Sequence, residues 1–376
     1  MTTFRERRPT MFHFSRGIPP QEAIPSRQIA EHTAAVLREH EDRVFQYAPI
    51  GNHTGDAALR EQLAAFHSVG ADQIFVTNGS LQALDLLAAH LLAGDRKIVY
   101  VEAPTYDRAV QIFERHGGRV SGVTLQHDGL DLDALEARLA TRVPAFVYVI
   151  PDFQNPSGVT MSEAKRRRLV QLAETHDFLI LEDIPYRELR YDGTAPAGFF
   201  ELAPAGRVLT MGSLSKILSP GLRVGYVIGE AATLGALAAL AEGTYLSPAP
   251  LLQAVAAQAL RAGLAQENVA RVRELLGPRH DGAVKAVREQ LGEDALLAVP
   301  HGGYYVSVHL PVATDESTFL KAATADGLKL TRGSGFYPAD AAPPEGKVFL
   351  RLPFQSFEPD EFAAGVERLA AVASKG

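Results

Sequence analysis

The sequence predicts an α/β fold: a large domain with a mostly parallel sheet flanked by helices, followed by a smaller α+β domain. Three observations lead there. From Gln73 onward, apolar runs without polar alternation (QIFVTN, KIVYVEA, AFVYVIPDF, FLILED, RVLTMG, RVGYVIG) are mostly separated by helical patterns. Strands of that kind are buried on both faces, as in a parallel sheet covered by helices. Polar and glycine residues cluster just after several of these runs, where an open parallel sheet meets its ligands. Beyond a helical stretch over 231–291 the pattern changes to shorter strands, GYYVSVHLP, GLKLTRGSG and KVFLRLPF, interleaved with helices over 316–326 and 359–374.

In chain order, Pro19, Pro20 and Pro25 precede a helical pattern over 26–39 with Ser26 as its N-cap. Gly51, Asn52 and Gly55 mark a turn before an amphipathic helix that starts near Asp56. The helices SLQALDLLAAHLL, YDRAVQIFERHG and SEAKRRRLVQLAETH separate the first four strands. Breaks are expected at Ser247-Pro248-Ala249-Pro250 and near Gly277-Pro278. The resulting division is 46–265 for the large domain and 266–376 for the small one. Residues 1–45 are too few for a core of their own and are expected to pack with the small domain.

Composition narrows the function. The chain has 376 residues, 46% hydrophobic and 22% charged, as in an ordinary soluble globular protein. With 37 basic and 44 acidic residues the net charge is −7, which gives no overall attraction to nucleic acid or an anionic membrane. Cysteine is absent, so disulfides and thiolate metal sites are excluded, and no metal site is expected. The basic N-terminus lacks the apolar core of a secretory signal, and no apolar run reaches the length of a membrane span. A cytoplasmic location is the expectation.

The stretch Arg207 to Gly229 places Ser213-Leu214-Ser215-Lys216 at an interruption between two strands, with Arg223 at the head of the second. A lysine there is a solvated loop residue, the base of an acylating serine at Ser213, or an amine that forms a Schiff base. The acyl-transfer reading needs companion Ser-Asp-Asn and Lys-Thr-Gly motifs, and the chain has neither. The other strand ends supply different parts. Asn78-Gly79-Ser80-Leu81 opens a helix whose free N–H groups suit a phosphate, although a Ser N-cap reads the same way. Tyr106 could stack on a flat ring or simply pack. Asn155, in Gln154-Asn155-Pro156-Ser157-Gly158, is a donor or part of a turn. Asp183 ends FLILED and could pair with a ring nitrogen or be a solvated strand-end acid, and Tyr186 follows it.

A phosphate cradle, an acid for a pyridine nitrogen, an aromatic ring and a lysine together make a pyridoxal phosphate site. In this ordered set the chain resembles the class I/II aminotransferases of pyridoxal-phosphate fold type I, near the α-aminoadipate and aromatic aminotransferase branch, from Gly17 to Arg351. The resemblance implies roles residue by residue. Lys216 corresponds to the Schiff-base lysine and Asp183 to the partner of the ring nitrogen. Asn155 and Tyr186 correspond to donors to the phenolic oxygen. Gly79, Ser80, Leu81, Ser213, Ser215 and Arg223 correspond to the phosphate site, and Tyr106 to the stacking ring. Arg351 corresponds to the arginine that takes the substrate carboxylate. Tyr47 corresponds to a tyrosine reaching the phosphate of a neighbouring subunit, which implies a homodimer.

Two features depart from the family. The turn after Tyr47 is longer, through Ile50-Gly51-Asn52-His53-Thr54. Arg16 stands where many relatives have a small residue, and Arg8 aligns near a substrate-contacting arginine; either reads a distal acid or is a solvated basic residue. The implied function is amino transfer between an amino acid and a 2-oxo acid, with 2-oxoglutarate as acceptor. The alternatives are a lyase or decarboxylase on the same scaffold, or a non-enzymatic cofactor-binding regulator, which the early start of the cofactor motifs disfavours. His301-Gly302-Gly303 is read as a tight turn, and Lys165 to Arg168 as a solvated basic run.

Overall fold

The structure is a computed structural model that describes residues 11–48, 53–203 and 206–375. The first strand, β1 (Phe12–Phe14), stands apart from the main sheet. That sheet contains β2 (Ile74–Thr77), β3 (Ile98–Ala103), β4 (Arg119–Gln126), β5 (Gly129–Leu130), β6 (Phe146–Val149), β7 (Leu179–Asp183), β8 (Val208–Ser213) and β9 (Gly225–Ile228). Their order is β2-β9-β8-β7-β6-β3-β4-β5. Strands β4, β3, β6, β7 and β8 run parallel. Strand β9 is reversed against both β8 and β2, so β2 points the same way as the parallel set. The C-terminal ends of β2, β3, β6, β7 and β8 therefore share one edge. Strands β4 and β5 escaped the sequence pattern because β4 lies near the sheet edge and mixes exposed with buried positions.

The helices through the large sheet region are α1 (Ser26–Val44), α2 (Ala57–His67), α3 (Ser80–Leu91), α4 (Asp107–Arg115), α5 (Leu132–Leu139), α6 (Glu163–His176), α7 (Phe199–Leu202), α8 (Ala231–Tyr245) and α9 (Pro250–Arg261). Side chains of α3, α4 and α8, such as Leu87, Phe113 and Leu237, bury one sheet face with Phe146 and Leu181. Side chains of α5 and α6, such as Leu135 and Leu169, bury the other with Val147 and Ile180. Alternate residues of one strand thus enter different apolar layers, which is why the strands show no polar alternation. Asp56, Asp131 and Ser162 cap α2, α5 and α6 by accepting from backbone N–H groups, each worth about 1 kcal/mol.

A 28-residue helix, α10 (Leu264–Leu291), leads to β10 (Tyr305–Pro311), α11 (Glu316–Ala325), β11 (Leu328–Leu330), β12 (Lys347–Pro353) and α12 (Pro359–Ala373). Strands β10 and β12 pair antiparallel, and their Val306, Val308, Leu350 and Leu352 pack with Val284, Val366 and Leu369. Helix α10 continues through Gly277-Pro278, contrary to the expected break. Leu276, Arg279, His280 and Ala283 are buried on either side of the proline, and this packing outweighs the lost backbone bond.

Three further expectations are corrected. Within the described part of the 1–45 segment, residues 11–45, the elements do not all pack on one side. Strand β1 pairs with β11 and sends Phe12 and Phe14 into the β10/β12 core, with Phe14 5.0 Å from Phe357 and 5.3 Å from Phe362. Helix α1 carries a separate apolar stripe, and its Val36 and Val44 pack with Leu63, Val255 and Leu260. The run Lys165 to Arg168 is not uniformly solvated either. Arg166 is fully buried on the same helical face as Leu169 and Ala173, and binds Asp152 at 2.8 Å. Its neighbours Lys165, Arg167 and Arg168 pair with Asp128, Glu163 and Glu136. His301 to Gly303 is a bend rather than a hydrogen-bonded tight turn, bridged antiparallel to Arg190 through Tyr191 N–H to His301 O and Gly303 N–H to Leu189 O.

Candidate active site

The shared sheet edge opens into a cleft of about 480 Å³, closed on its far side by β10, β12 and residues 15–18. Strand β2 leads into α3 through Gly79, whose φ of +87° suits glycine and whose missing side chain leaves room for the Arg223 guanidinium. Gln82 N–H and Ala83 N–H return to Gly79 O. The Ser80 and Leu81 N–H groups have no partner within the helix and form an anion-binding start. Gly225 of β9 lies against the Gly79 and Ser80 backbone, so a side chain there would push the helix start away. Arg223 reaches the same turn, with Nη2 donating to Asn78 O at 3.2 Å. Ser213 Oγ donates to Ser215 Oγ at 2.9 Å and accepts from Ser215 N–H.

Three strand ends along this edge carry acids or amides. Asp183, at the end of β7, is buried; Tyr148 Oη donates to its Oδ2 at 2.8 Å, while its Oδ1 has no partner. Burial pushes the Asp183 carboxyl up to about 7, with the Tyr148 hydrogen bond opposing and Glu182 adding to the rise. Glu182 points to the other side, where it accepts from Phe199 N–H and Thr210 Oγ1. Glu102, in β3, is pushed by burial up to about 8. Its Oε2 accepts from Gln154 Nε2 at 3.0 Å and Ile150 N–H at 3.1 Å. Gln154 Oε1 in turn accepts from Ser157 N–H and Oγ, which fixes the turn bearing Asn155. Asn155 Oδ1 accepts from Arg351 Nη1 at 2.8 Å, so its Nδ2 donor is not used by Arg351.

Lys216 follows β8, and burial brings its amine down to about 8, helped by the Arg351 charge. Nζ lies 5.6 Å from the Tyr186 ring and 5.2 Å from the Tyr304 ring, and donates to Gly17 O at 2.8 Å. Tyr186 and Tyr305 share a hydroxyl contact of 3.0 Å. Arg351 Cζ lies 4.7 Å from the ring centres of both Tyr305 and Phe336, and its Nε is unpartnered. Residues 15–18 form a strap bound by their carbonyls. Ser15 O accepts from Arg351 Nη2 and Thr331 Oγ1, while Arg16 O and Ile18 O accept from Gln355 Nε2.

Of the residues singled out from sequence, Ser80, Tyr106, Asn155, Asp183, Tyr186, Lys216, Arg351 and Arg16 line the cleft. Gly79, Leu81, Ser213, Ser215 and Arg223 form the structure around the α3 start. Tyr47 is the exception. The residue is 78% exposed and lies beside a different depression lined by Val44, Pro250 and Gln253, so within one chain it does not line the cleft. Arg8 lies outside the described residues, as do Ile50, Gly51 and Asn52. Sequence reasoning passed over Tyr148, Glu102, Tyr305, Phe336 and the strap. The signal for Tyr148 was its place in FVYV, one strand over from Asp183.

A flat group with a ring nitrogen and a phosphate fits these residues. An unpartnered buried carboxylate oxygen faces the need of the nitrogen, and a glycine-opened helix start with an arginine faces that of the phosphate. Such a set defines a site for a phosphorylated pyridine cofactor beside a lysine amine and a buried arginine. The family described as aminotransferase class I and II matches residues 10–368, and the chain belongs to it. Aromatic-amino-acid aminotransferase 1 of Thermococcus litoralis is 34% identical over 366 residues, covering 94% of this chain and 86% of that protein. The structure of LysN, the alpha-aminoadipate aminotransferase of Thermus thermophilus complexed with N-(5'-phosphopyridoxyl)-L-leucine, superimposes with a TM-score of 0.88 at 31% identity. It covers 97% of this chain and 92% of its own. The probable rhizopine catabolism regulatory protein MocR of Rhizobium meliloti is 27% identical, covering 96% of this chain and 72% of its own length.

Proposed function

We propose that the protein is a pyridoxal 5'-phosphate-dependent aminotransferase that moves an amino group between an amino acid and a 2-oxo acid, with 2-oxoglutarate as an acceptor. The observation that carries this reading is the unpartnered, buried Asp183 Oδ1 in a cleft that also holds the Lys216 amine. When bound, pyridoxal phosphate supplies an electron sink for the charge left on the substrate α-carbon. Asp183 holds a proton on the ring nitrogen at Oδ1, since an opposite charge alongside favours the protonated nitrogen. The N–H groups of Ser80 and Leu81, with Ser213, Ser215 and Arg223, hold the phosphate. Asn155 Nδ2 and Tyr186 Oη would be the donors that orient the ring.

Lys216 would anchor the cofactor, and its free Nζ would move the substrate α-proton. An amine brought down to about 8 serves as a base near neutral pH far better than an ordinary lysine. Arg351, flanked by the Tyr305 and Phe336 rings, takes the substrate carboxylate with its fork. Arg16, exposed at the mouth, is in place to meet a distal acid. The exposed Tyr47 supports a homodimer in which each subunit lends this residue to the other's phosphate. A large unit over 46–265 and a small one over 266–376 would then enclose each cleft.

A screen of amino donors against 2-oxoglutarate, reading the oxo acid formed, tests the reaction. Turnover of at least one donor is expected. If the protein binds pyridoxal phosphate but neither turns over nor undergoes a half-reaction with any donor, the regulator reading favoured by the MocR likeness replaces it. In the same screen, Arg16→Gln should weaken acidic donors selectively, and equal effects on acidic and apolar donors would remove Arg16 from the substrate site.

A further inference from the structure

Asp183 owes its setting to a residue that carries no motif. Strand β6 pairs with β7 so that Tyr148 stands opposite Leu181. Asp183, two residues beyond Leu181, lies on the same face, one diagonal step away and within reach of a tyrosine ring. That ring is fully buried and set edge-on to Phe113 at 5.4 Å and 73°. Its hydroxyl therefore arrives at one oxygen of Asp183 only, at 2.8 Å, and leaves the other unpartnered.

We propose that Tyr148 is a positioning residue for the cofactor: by donating to Asp183 Oδ2 it turns the carboxylate so that Oδ1 is the oxygen offered to the ring nitrogen, and it keeps that carboxylate charged. This rests on the pyridoxal phosphate reading. The groups around Asp183 are acids and phenols: Glu182 beside it in β7, Glu102 from β3, Tyr106 before α4 and Tyr148 from β6. Burial and Glu182 both oppose ionisation, and the Tyr148 hydrogen bond is the interaction that favours it. A phenylalanine would fill the same space and lack only the donor.

The experiment is a pH titration of the cofactor-free protein by difference infrared spectroscopy, following the carboxyl band that disappears in Asp183→Asn. The midpoint in Tyr148→Phe should lie about one to two pH units above wild type, the size expected for losing a hydrogen bond to a charged group. Difluorotyrosine placed at position 148, a stronger donor of nearly the same shape, should move the midpoint the other way, which keeps the test sound if the phenylalanine variant folds poorly. In the loaded enzyme, Tyr148→Phe should lower kcat about tenfold with KM within about twofold, and change the pH at which the visible absorbance shifts. A wild type that takes up no pyridoxal phosphate overturns the functional reading and this inference together. A wild type that does, with an unmoved midpoint in both variants, overturns this inference alone.

Discussion

The two sides of the cleft are built by different rules. The sheet edge presents side chains: Asp183, Asn155, Tyr186 and Lys216 each stand at or a few residues past the end of a buried strand. The strap over residues 15–18 presents its backbone, with Ser15, Arg16, Gly17 and Ile18 carbonyls bound by Arg351, Thr331, Gln355 and Lys216. The first wall depends on residue identity and is rigid because its strands are packed on both faces. The second depends on side-chain identity mainly at Gly17, where any Cβ would run into the Tyr305 hydroxyl, and otherwise on the donors of the facing wall. Chemistry should therefore be concentrated in the first, and substrate fit in the second.

The largest expected effect is on the sheet side. Lys216→Ala should reduce transamination by more than about a thousandfold, because in the proposed reaction one amine serves as anchor and proton carrier. Borohydride reduction of the loaded wild type followed by mass mapping should find the adduct on Lys216. An adduct on another lysine would move the chemistry elsewhere.

Asp183→Ala should keep part of its cofactor through the phosphate site while turnover falls about a hundredfold; a near-normal rate would make Asp183 a mere strand-end acid. The same carboxyl gives a stability test without cofactor. Its folded value of about 7 lies above the unfolded one of 3.8, so the folded state holds the proton more tightly. That contribution is full below about 4 and is lost as pH rises to about 7. Asp183→Asn should therefore gain on wild type across that window, by at most about 4 kcal/mol, and run level above it. Denaturant melts of both cofactor-free proteins at a series of pH values check the sign, and a gain that shrinks with rising pH would contradict it.

Tyr47 belongs to neither wall within one chain, and its exposure makes the comparison depend on assembly. Mixing Lys216→Ala with Tyr47→Ala under conditions of subunit exchange should restore activity in hybrids. One hybrid site then carries both lesions and the other neither, so recovery should approach about a quarter of wild type for random pairing in a twofold dimer. If tags prove exchange and activity only averages the parents, Tyr47 does not serve a neighbouring site.

What the sequence made legible follows the same division. Parallel strands end on one edge, so residues after FVT, VIPDF, ILED and LTMGS could be brought together from their spacing along the chain. Arg223 was recognisable because a strand resumes there. Tyr148 and Glu102 were hidden because a residue inside an apolar strand reveals neither its facing partner nor its register. The strap was hidden because backbone carbonyls carry no residue signature. The buried Arg166 shows the converse: four consecutive basic residues look alike, and only the helical face they occupy separates the one that binds Asp152 from those at the surface.

The smallest effect should come from Gln355, and it tests the strap directly. Its Nε2 holds Arg16 O at 3.1 Å and Ile18 O at 3.0 Å, while its Oε1 is buried without a partner. Gln355→Leu removes two hydrogen bonds worth about 1 kcal/mol each, and also removes the unsatisfied acceptor, which offsets part of the loss. The remaining strap contacts, from Arg351 and Thr331 to Ser15 O, stay in place. Substrate KM should therefore rise only about three- to fivefold, with cofactor affinity unchanged, because the Gln355 side chain bonds the strap and, among the described residues, has no hydrogen bond to the α3 start or Asp183. Equilibrium titration with pyridoxal phosphate and steady-state kinetics on the same preparation separate the two quantities. Loss of cofactor with KM unmoved would mean that the strap supports the chemical wall rather than the substrate, and the distinction between the two sides would fall.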